Sequence, residues 1–427
     1  MLAARSHALR KRDRDRGLAD GRGTKDRYHS GGHSRSIFRG MNVRIGCGLS
    51  TTGDARLGAI EAAQAAGAGL GGERAQLALT FVSGAHLAAP EATLEGVAEA
   101  LAVDAVVGCG AAGVLGEARE VEGATAVAVW AASFGDGEVE TFETTASEGE
   151  DGVEIEGMPA VDDASAVILF ADPYSFPTDV LLSQLRAEGS PPPVLGGLSS
   201  ARTLEGTAAL LHGSYVRESG AVGAVLRGVE LWPGVSQGAA PLGPEMTITA
   251  AEGNVIWELA GKPALAKLRE VLGALPAAEQ SLAAGGLLVG LVIDAGKPEY
   301  TRGDFLVRGL LGADPETGYL SVGESVHAGQ VVRLHARDAQ SADADLRALL
   351  AEQRAALNGR APAGALLFTC NGRGQAMFGE ANHDAGALAE LLDGTPTAGF
   401  FAAGEIGPVG SASFLHGFTA TVGLFPQ

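Results

Sequence analysis

The chain has 427 residues, of which 46% are apolar and 19% are charged, so it is long enough for two or three domains with a sizeable core. Its net charge is −20, and an acidic body disfavours nucleic acid and anionic membranes as partners, because both are polyanions. No apolar run approaches the roughly 18 residues of a transmembrane helix. The three cysteines form no CxxC pair and are typical of a reducing cytoplasm.

Residues 1–40 differ from the rest of the chain. They carry 11 Lys and Arg against 4 Asp and almost no large apolar side chain before Ile37, so we predict a disordered basic extension. The segment lacks an apolar h-region and is therefore not a secretory signal. A basic arm or a transit peptide is one interpretation. Translation from Met41, where the periodic sequence begins, is the interpretation that we favour.

From residue 43 onward, short apolar strands alternate with helices. In the first half we predict strands at 43–49, 76–83, 104–107, 124–132 and 164–171, a strand end with a glycine turn at 194–200, helices at 55–66, 90–101 and 178–188, and a hairpin over 209–226. In the second half we predict helices at 263–272, 341–357 and within 375–392, and strands at 287–294, 305–309, 319–322, 330–336, 365–369 and 417–425. Prolines and glycine make 227–265 a predicted connector with short strands.

Two further stretches need an interpretation. Residues 108–113 (GCGAAG) match the GxGxxG spacing, but no ordinary helix follows, so we favour a close-packed turn over a nucleotide site. Residues 136–163 hold eleven acidic residues and no Lys or Arg, which predicts a solvated loop and edge hairpin.

Three stretches share one order of elements: an apolar strand, a helix, a glycine-rich turn and an apolar hairpin strand. The first strands lie at 77–83, 166–171 and 365–369, and the turns lie at 108–113, 196–200 and 399–407. A strand–helix–strand crossover normally gives a parallel pair, and the hairpin strand adds antiparallel pairing. We therefore predict an α/β to α+β fold with two layered domains, 41–262 and 263–427, whose mixed β-sheets are flanked by helices.

The sequence resembles the FIST family, which has N-terminal (FIST N) and C-terminal (FIST C) halves. The segments FTCNGRG at 368–374, GFFAAGEIGPVG at 399–410 and FLHGFTATVGLF at 414–425 resemble consecutive FIST C motifs, and FLVRGLLGADPETGYLSVGE at 305–324 resembles an earlier one. The segments PPVLGGLSSA at 192–201 and GAVGAVLRG at 220–228 resemble FIST N, and RIGCGLSTTGDA at 44–55 resembles the usual start of these proteins. The resemblance implies an intracellular sensory module for a small ligand, such as an amino acid or a related metabolite.

Two charges stand alone in glycine-rich stretches near the C-terminus. Arg373 in Asn-Gly-Arg-Gly could clamp a carboxylate, and Glu405 could hold a ligand ammonium. The alternative is that the two side chains pair with each other or order the loops. The predicted ligand-binding residues are Asn371, Gly372, Arg373, Gly374, Gly404, Glu405 and Gly407, with Ser199, Ser200 and Asp172 at equivalent strand ends in the first half. Whether the two halves share one pocket stays open at this point.

The lead hypothesis is a cytoplasmic, non-catalytic sensor that binds a small molecule and acts on an unknown signalling protein, without a cofactor or a metal. One alternative is a thiol-dependent hydrolase or transferase with Cys370 as nucleophile and His416 or His383 as base. The other is a protein-interaction scaffold that uses the acidic segment 136–163.

Overall fold

The computed structural model describes residues 42–149, 152–187, 189–293, 296–300 and 303–427. The predicted extension at 1–40 and the predicted start at Met41 lie outside these residues. Within the described part of the chain, no helix is both long and apolar enough to cross a membrane.

The secondary structure consists of eight α-helices and 26 strands in the described residues. The helices are α1 Ala55–Ala68, α2 Pro90–Leu101, α3 Thr178–Ala187, α4 Ala264–Ala274, α5 Ala277–Gly285, α6 Ala339–Ala356, α7 Gln375–Phe378 and α8 His383–Leu391. The first thirteen strands are β1 Arg44–Ser50, β2 Leu77–Ser83, β3 Val106–Gly110, β4 Gly113–Gly116, β5 Arg119–Glu122, β6 Ala126–Ser133, β7 Glu138–Gly149, β8 Gly152–Glu156, β9 Ala166–Ala171, β10 Val194–Leu198, β11 Leu210–His212, β12 Tyr215–Arg217 and β13 Ala221–Arg227. The others are β14 Trp232–Gln237, β15 Ala239–Glu252, β16 Val255–Leu259, β17 Lys262–Pro263, β18 Leu287–Val292, β19 Phe305–Ala313, β20 Leu320–Val322, β21 Val331–Arg337, β22 Pro362–Cys370, β23 Thr397–Ala402, β24 Glu405–Val409, β25 Ala412–His416 and β26 Thr419–Pro426.

The predicted repeat is present as three strand–helix–strand units. Each unit pairs its two strands in parallel, as β2 with β3, β9 with β10 and β22 with β23. A later strand, β6, β13 or β26, lies antiparallel to the first strand of its unit. The prediction of mixed sheets with helices is therefore confirmed. We call the three sheets built on these units the first, second and third sheets.

The hairpin that follows each unit in sequence pairs with a strand in the sheet of another unit. The hairpin β4–β5 follows the first unit but pairs with β23 in the third sheet. The hairpin β11–β12 follows the second unit and pairs with β3 in the first sheet, and β24–β25 follows the third unit and pairs with β10 in the second sheet. The three hairpins form a closed cycle: the first unit extends the third sheet, the third unit extends the second sheet, and the second unit extends the first sheet. The second and third sheets therefore contain strands from both predicted halves. The boundary near residue 263 stays a prediction.

One glycine in each unit allows the two parallel strands to lie close together, because it has no Cβ atom. A Cβ built on Gly108 would lie 2.7 Å from the carbonyl carbon of Thr80, and closer still to its oxygen. Gly196 stands in the same relation to Leu169 at 2.8 Å, and Gly399 to Leu367 at 2.7 Å. The GxGxxG match at 108–113 thus marks close strand packing, because β3 and β4 occupy it and no helix follows.

Phenylalanines from all three units meet in the central core. In the first strand of each unit, the residue paired with the repeated glycine is followed by a phenylalanine: Phe81, Phe170 or Phe368. The ring centroids of these three phenylalanines lie 5.2 to 6.1 Å apart. Phe400 stacks on Phe81 at 5.0 Å. Aromatic pairs at these distances contribute about 0.5–1.5 kcal/mol each beyond the area they bury. The cluster therefore ties the three sheets together.

A fourth sheet forms a barrel. Its strands follow the order β15–β21–β18–β19–β20–β16, and a further pairing of β15 with β16 closes the ring. The predicted connector at 227–265 does contain the short strands β14, β16 and β17, but the prediction is wrong for β15, which runs for 14 residues through a register shift at Gly243 and Pro244. The prediction of a glycine-rich turn at 399–407 is wrong. Strands β23 and β24 occupy that segment, and only Ala403 and Gly404 connect them.

Candidate functional site

Several chain segments meet at the ends of the parallel strands of the third unit. Strand β22 ends at Cys370, and the following loop carries Arg373. Asp384 lies in the first turn of α8, while Glu405 and Thr419 are the first residues of β24 and β26. Because side chains at strand and helix ends are held by the regular elements behind them, this arrangement is fixed by the fold.

Arg373 forms a buried ion pair with Asp384, not with Glu405. Its Nε and Nη2 donate to the two carboxylate oxygens at 2.7 and 2.9 Å, and both side chains are at most 1% exposed. Thr369 donates to the same carboxylate at 2.6 Å, and His383 Nδ1 lies 2.9 Å from it. Burial alone would raise the pKa of Asp384, but the guanidinium and these hydrogen bonds hold it well below its usual range. Asp384 is therefore an ionised carboxylate whose hydrogen-bonding capacity is already used.

Glu405 is completely buried, and within the described residues only its Oε2 accepts hydrogen bonds of normal geometry. Its Oε2 accepts hydrogen bonds from the backbone N–H of Thr419 at 3.1 Å and from the Thr419 hydroxyl at 2.8 Å. Burial raises the pKa of Glu405 to about 8, although the bonds from Thr419, the charge of Arg373 and the contact with the Cys370 thiol act in the opposite direction. Burial thus favours the neutral form of this side chain.

Two atoms at this site have no hydrogen bond of normal geometry within the described residues. They are Nη1 of Arg373 and Oε1 of Glu405, and both are fully buried. The two side chains lie close enough that the charge of Arg373 lowers the pKa of Glu405. Leaving a buried polar group unpaired costs about 1–3 kcal/mol, so such groups in a native protein need an explanation.

Cys370 lies beside these two side chains, with Arg337 and Phe418 next to it, and all three residues are partly exposed. The Arg337 guanidinium lies 4.5 Å above the Phe418 ring and donates to the carbonyl of Gly372 at 3.1 Å. Phe418 has a φ of 68°, which is rare for a bulky side chain, and its backbone N–H reaches the Cys370 sulfur. Backbone strain of this kind is concentrated at binding sites and catalytic sites.

The thiol is not activated in this environment. Burial and the neighbouring Glu405 raise the pKa of Cys370 to about 11, so the thiolate that a nucleophile needs is scarce at neutral pH. His416 bonds the carbonyl of Gly407 at 2.9 Å, and burial lowers its pKa to about 4. His383 is engaged by Asp384 and Asp343, at 2.9 and 3.1 Å. In the described residues, neither histidine is hydrogen-bonded to the sulfur.

The other predicted residues of the C-terminal loops have mixed roles. Asn371 is exposed, and its backbone N–H donates to Ala402. Gly374 has a φ of 79°, and a Cβ there would meet the carboxylate carbon of Glu122 at 2.7 Å. Gly404 and Gly407 allow close packing, since added Cβ atoms would lie 3.0 Å from Leu415 and 2.6 Å from Val235, respectively. These glycines shape the site, whereas Arg373 and Glu405 supply its polar groups.

The predicted residues of the first half have different partners. Asp172 is buried and bonds Arg202 and the Ser175 hydroxyl, each at 2.7 Å. Ser199 donates to the carbonyl of Gly110 at 2.7 Å. The Ser200 hydroxyl joins all three units, because it donates to the carbonyl of Phe401 and accepts from the N–H of Ala112 at 2.9 Å. The side-chain hydrogen bonds of these three residues do not include Arg373 or Glu405.

Sequence reasoning missed four residues of the site: Asp384, Thr419, Arg337 and Phe418. Asp384 follows His383 at a helix start, and a lone acid there is usually explained by the helix dipole. Arg337 ends a barrel strand 36 residues before Arg373, so nothing in the local sequence links the two. No group of three or more His, Cys, Asp or Glu side chains within the described ranges is arranged to hold a metal ion.

A separate cavity of about 740 Å³ lies between α3 and the barrel. Asp179 and Arg186 line it from the helix, Arg308 and Glu324 from the barrel, and Phe414 from β25. Arg308 already donates two hydrogen bonds to Glu324, at 2.9 and 3.1 Å. This cavity is a competing location for a ligand.

Comparison with known proteins identifies relatives over almost the whole chain. An uncharacterized protein of Mycobacterium bovis, Mb0898c, is 42% identical over 384 residues, which are 90% of this chain and 99% of the relative. The uncharacterized protein Rv0628c of Mycobacterium tuberculosis is also 42% identical over 384 residues, with 90% of this chain and 100% of the relative covered.

The family comparison matches the FIST N domain at residues 76–262 and the FIST C domain at residues 264–408. The second match contains Cys370, Arg373, Asp384 and Glu405, while Thr419 lies just beyond it. FIST domains are associated with sensory and signalling roles. The chain belongs to the FIST family, with both its N-terminal and its C-terminal domain present.

Proposed function

We propose that this protein is a cytoplasmic sensor that binds a small metabolite, an amino acid or a related compound, at the site formed by Cys370, Arg373 and Glu405. The observation that carries the proposal is the pair of fully buried polar atoms, Arg373 Nη1 and Glu405 Oε1, that have no hydrogen bond of normal geometry within the described residues. A ligand with polar groups would satisfy both atoms and recover the cost of burying them unpaired.

The surroundings support binding more than catalysis. The raised pKa of the Cys370 thiol and the engagement of both nearby histidines leave no activated nucleophile among the groups described above. Phe418, with its φ of 68°, and the Arg337 stacked on it are partly exposed and lie next to Cys370, so these are the side chains that would move to admit a small molecule. The three cysteines, Cys47, Cys109 and Cys370, are all free thiols, which favours a reducing compartment.

A signalling role requires that binding changes a surface that another protein can read. The start of α7 contacts the exchanged hairpin, because Glu122 of β5 accepts the backbone N–H of Gln375 at 2.9 Å. Glu120 on the same strand accepts the N–H of Ala385 at 2.9 Å. We propose that ligand binding alters these contacts and that an unidentified signalling protein reads the result.

The test is a thermal-shift screen of amino acids and central metabolites on the wild type and on two conservative variants. Arg373→Lys keeps the charge but removes the planar fork of the guanidinium, and Glu405→Gln keeps the shape but removes the titration. Matched controls are Arg354→Lys and Glu390→Gln on the surface, whose side chains are 48% and 65% exposed.

We expect at least one compound to raise the melting temperature of the wild type and of both control variants. The same compound should shift Arg373→Lys less. The proposal fails if no compound raises the melting temperature of the wild type. It also fails if each compound changes the melting temperatures of Arg373→Lys and Glu405→Gln by the same amounts as those of their surface controls.

A further inference from the structure

We propose that the exchanged hairpin β4–β5 regulates this site, and that Glu120 on the hairpin is a positioning residue that keeps Asp384 against Arg373. The inference rests on the proposed function and specifies the regulation of the same site: the Arg373–Asp384 pair and the attachment of the hairpin to α8 stabilise each other. A protein that binds the hairpin therefore changes the site, and a change at the site alters the attachment of the hairpin.

The N-terminus of α8 is capped by a residue from another unit. Asn382 precedes the helix with a φ of 63°, and its side chain makes no capping bond to α8 within the described residues. Glu120 Oε1 instead accepts the N–H of Ala385 at 2.9 Å, and the N–H of Asp384 also reaches this carboxyl group. Asn382 Oδ1 in turn accepts the N–H of Glu120 at 2.7 Å. The two segments thus share the reciprocal bonds of a capping box, although 262 positions of sequence separate them.

The hairpin contacts both partners of the buried ion pair. Asp384 is the second residue of α8, and the cap from Glu120 is made to this residue and to the next one. On the other side, Glu122 accepts the N–H of Gln375, two residues after Arg373. The bonds between Arg373 and Asp384 are 2.7 and 2.9 Å long, and hydrogen bonds weaken beyond about 3.2 Å, so a small shift of either backbone weakens the pair. Release of the hairpin therefore loosens the Arg373–Asp384 pair.

A cavity of about 350 Å³ lies between the tip of the hairpin and α8. Glu117 and Ala118 line it from the tip, and Ala385 and Ala389 line it from the helix. The two tip residues are exposed, and the cavity lets them shift without displacing close-packed side chains. Leu115 of β4 is the cross-strand partner of the capping residue and packs in the same apolar cluster as α8. The hairpin is thus anchored at the cap, and its tip is accessible to a partner protein.

The cap does not depend on the ionisation of Glu120. Burial raises the pKa of this carboxyl group to about 7, with a contribution from the negative charges of Asp384 and Glu122, while the N–H groups of α8 act in the opposite direction. Both the carboxylate and the protonated acid have a lone pair with which Oε1 accepts the N–H of Ala385. Glu120→Gln therefore keeps the cap, whereas Glu120→Ala removes it.

The Nε–H of Arg373 reports on the ion pair. It is fully buried and donates to Asp384, so it exchanges slowly with water and is followed by nitrogen–proton correlation NMR. We expect its exchange rate to rise about tenfold in Glu120→Ala, as for the loss of an N-cap, and to stay within about threefold of wild type in Glu120→Gln and in the tip control Glu117→Ala. Backbone amides of β22 should exchange at wild-type rates in all three variants, which separates loosening of the pair from global unfolding. Glu120→Asp, whose side chain is too short for the cap, replaces Glu120→Ala if that variant does not fold.

Linkage requires the reverse effect as well. Arg373→Lys weakens the pair with Asp384 and should speed amide exchange of the hairpin, residues 113–122, by about fivefold in hydrogen-exchange mass spectrometry. The matched control is Arg354→Lys, because Arg354 contacts the opposite end of α8 at the carbonyl of Leu391 and should leave the hairpin unchanged.

The inference is overturned if Glu120→Ala leaves the exchange of the Arg373 Nε–H unchanged, or if Glu120→Gln or Glu117→Ala accelerates it as much as Glu120→Ala does. It is equally overturned if Arg373→Lys changes the exchange of the hairpin no more than Arg354→Lys does. None of these measurements uses a ligand, so their failure is distinct from failure of the thermal-shift screen that tests the proposed function.

Discussion

The repeated glycine offers a direct test of how the three units are packed. Gly399 on β23 faces Leu367 on the parallel strand β22, and a Cβ at this position would lie 2.7 Å from the Leu367 carbonyl carbon and closer to its oxygen. Real Cβ atoms essentially never come within 3.0 Å of such atoms. Gly399→Ala therefore forces two paired backbones apart, with no flexible side chain that could give way.

The expected loss in the free energy of unfolding depends on which groups must move apart. Overpacking a core by side chains alone costs about 1–3 kcal/mol, and here both partners are backbone in the centre of the third sheet. We therefore expect Gly399→Ala to lower the free energy of unfolding by more than about 4 kcal/mol, in the range reached only by severe core changes. Such a loss would consume much of the about 5–15 kcal/mol that stabilises a typical domain.

Gly386 in α8 is the matched control. A Cβ there meets no atom within 4 Å, so Gly386→Ala should raise stability by about 0.5–1 kcal/mol through the better helix propensity of alanine. Urea denaturation followed by circular dichroism measures both variants. A Gly399→Ala protein within about 1 kcal/mol of wild type would refute the packing argument.

The remaining predictions concern the site. Asp384→Asn should lower the free energy of unfolding, measured in urea, by about 3–5 kcal/mol, because it leaves Arg373 buried without its counter-ion. The control Asp393→Asn removes an exposed ion pair with Arg354 and should lower it by less than about 1 kcal/mol. Equal losses in the two variants would contradict the importance of the buried pair. The folded pKa of Glu405 lies above its unfolded value of about 4.5, so its contribution to stability is complete below that value and is lost as pH rises to about 8. Glu405→Gln should consequently flatten the fall in stability between pH 5 and 8, and an unchanged slope would exclude Glu405 as its source. Cys370 should react with iodoacetamide at pH 7.5 at least about tenfold more slowly in the folded protein than in urea, as followed by peptide mass spectrometry; fast labelling of the folded state would show an activated thiol.

The sequence was sufficient to predict the repeat, because its signals are local. Apolar strands, a helix and a glycine turn recur at similar spacing, and Gly108, Gly196 and Gly399 indeed occupy equivalent positions. The isolated charges Arg373 and Glu405 were also visible, since small and apolar residues surround them in sequence. The repeated elements and the isolated charges can both be recognised from neighbouring residues in the sequence.

The exchange of hairpins and the partner of Arg373 could not be predicted in this way. Nothing within the hairpin β4–β5 specifies that it pairs with β23, which is almost 300 residues away in the chain, and the pairing depends on how all three sheets close around Phe81, Phe170 and Phe368. Sequence reasoning considered a pair between Arg373 and Glu405 as the alternative to a ligand. The guanidinium instead bonds Asp384, and in the part of the chain that the structure describes one nitrogen of the arginine and one oxygen of Glu405 have no hydrogen bond of normal geometry.

A crystal structure of the protein soaked with a compound that shifts its melting temperature tests the central claim most directly. Our account predicts density for the compound within about 3 Å of both Arg373 Nη1 and Glu405 Oε1, the range of an ordinary hydrogen bond. Density for the compound in the cavity between α3 and the barrel, with Arg373 and Glu405 bonded only to ordered water, would contradict it.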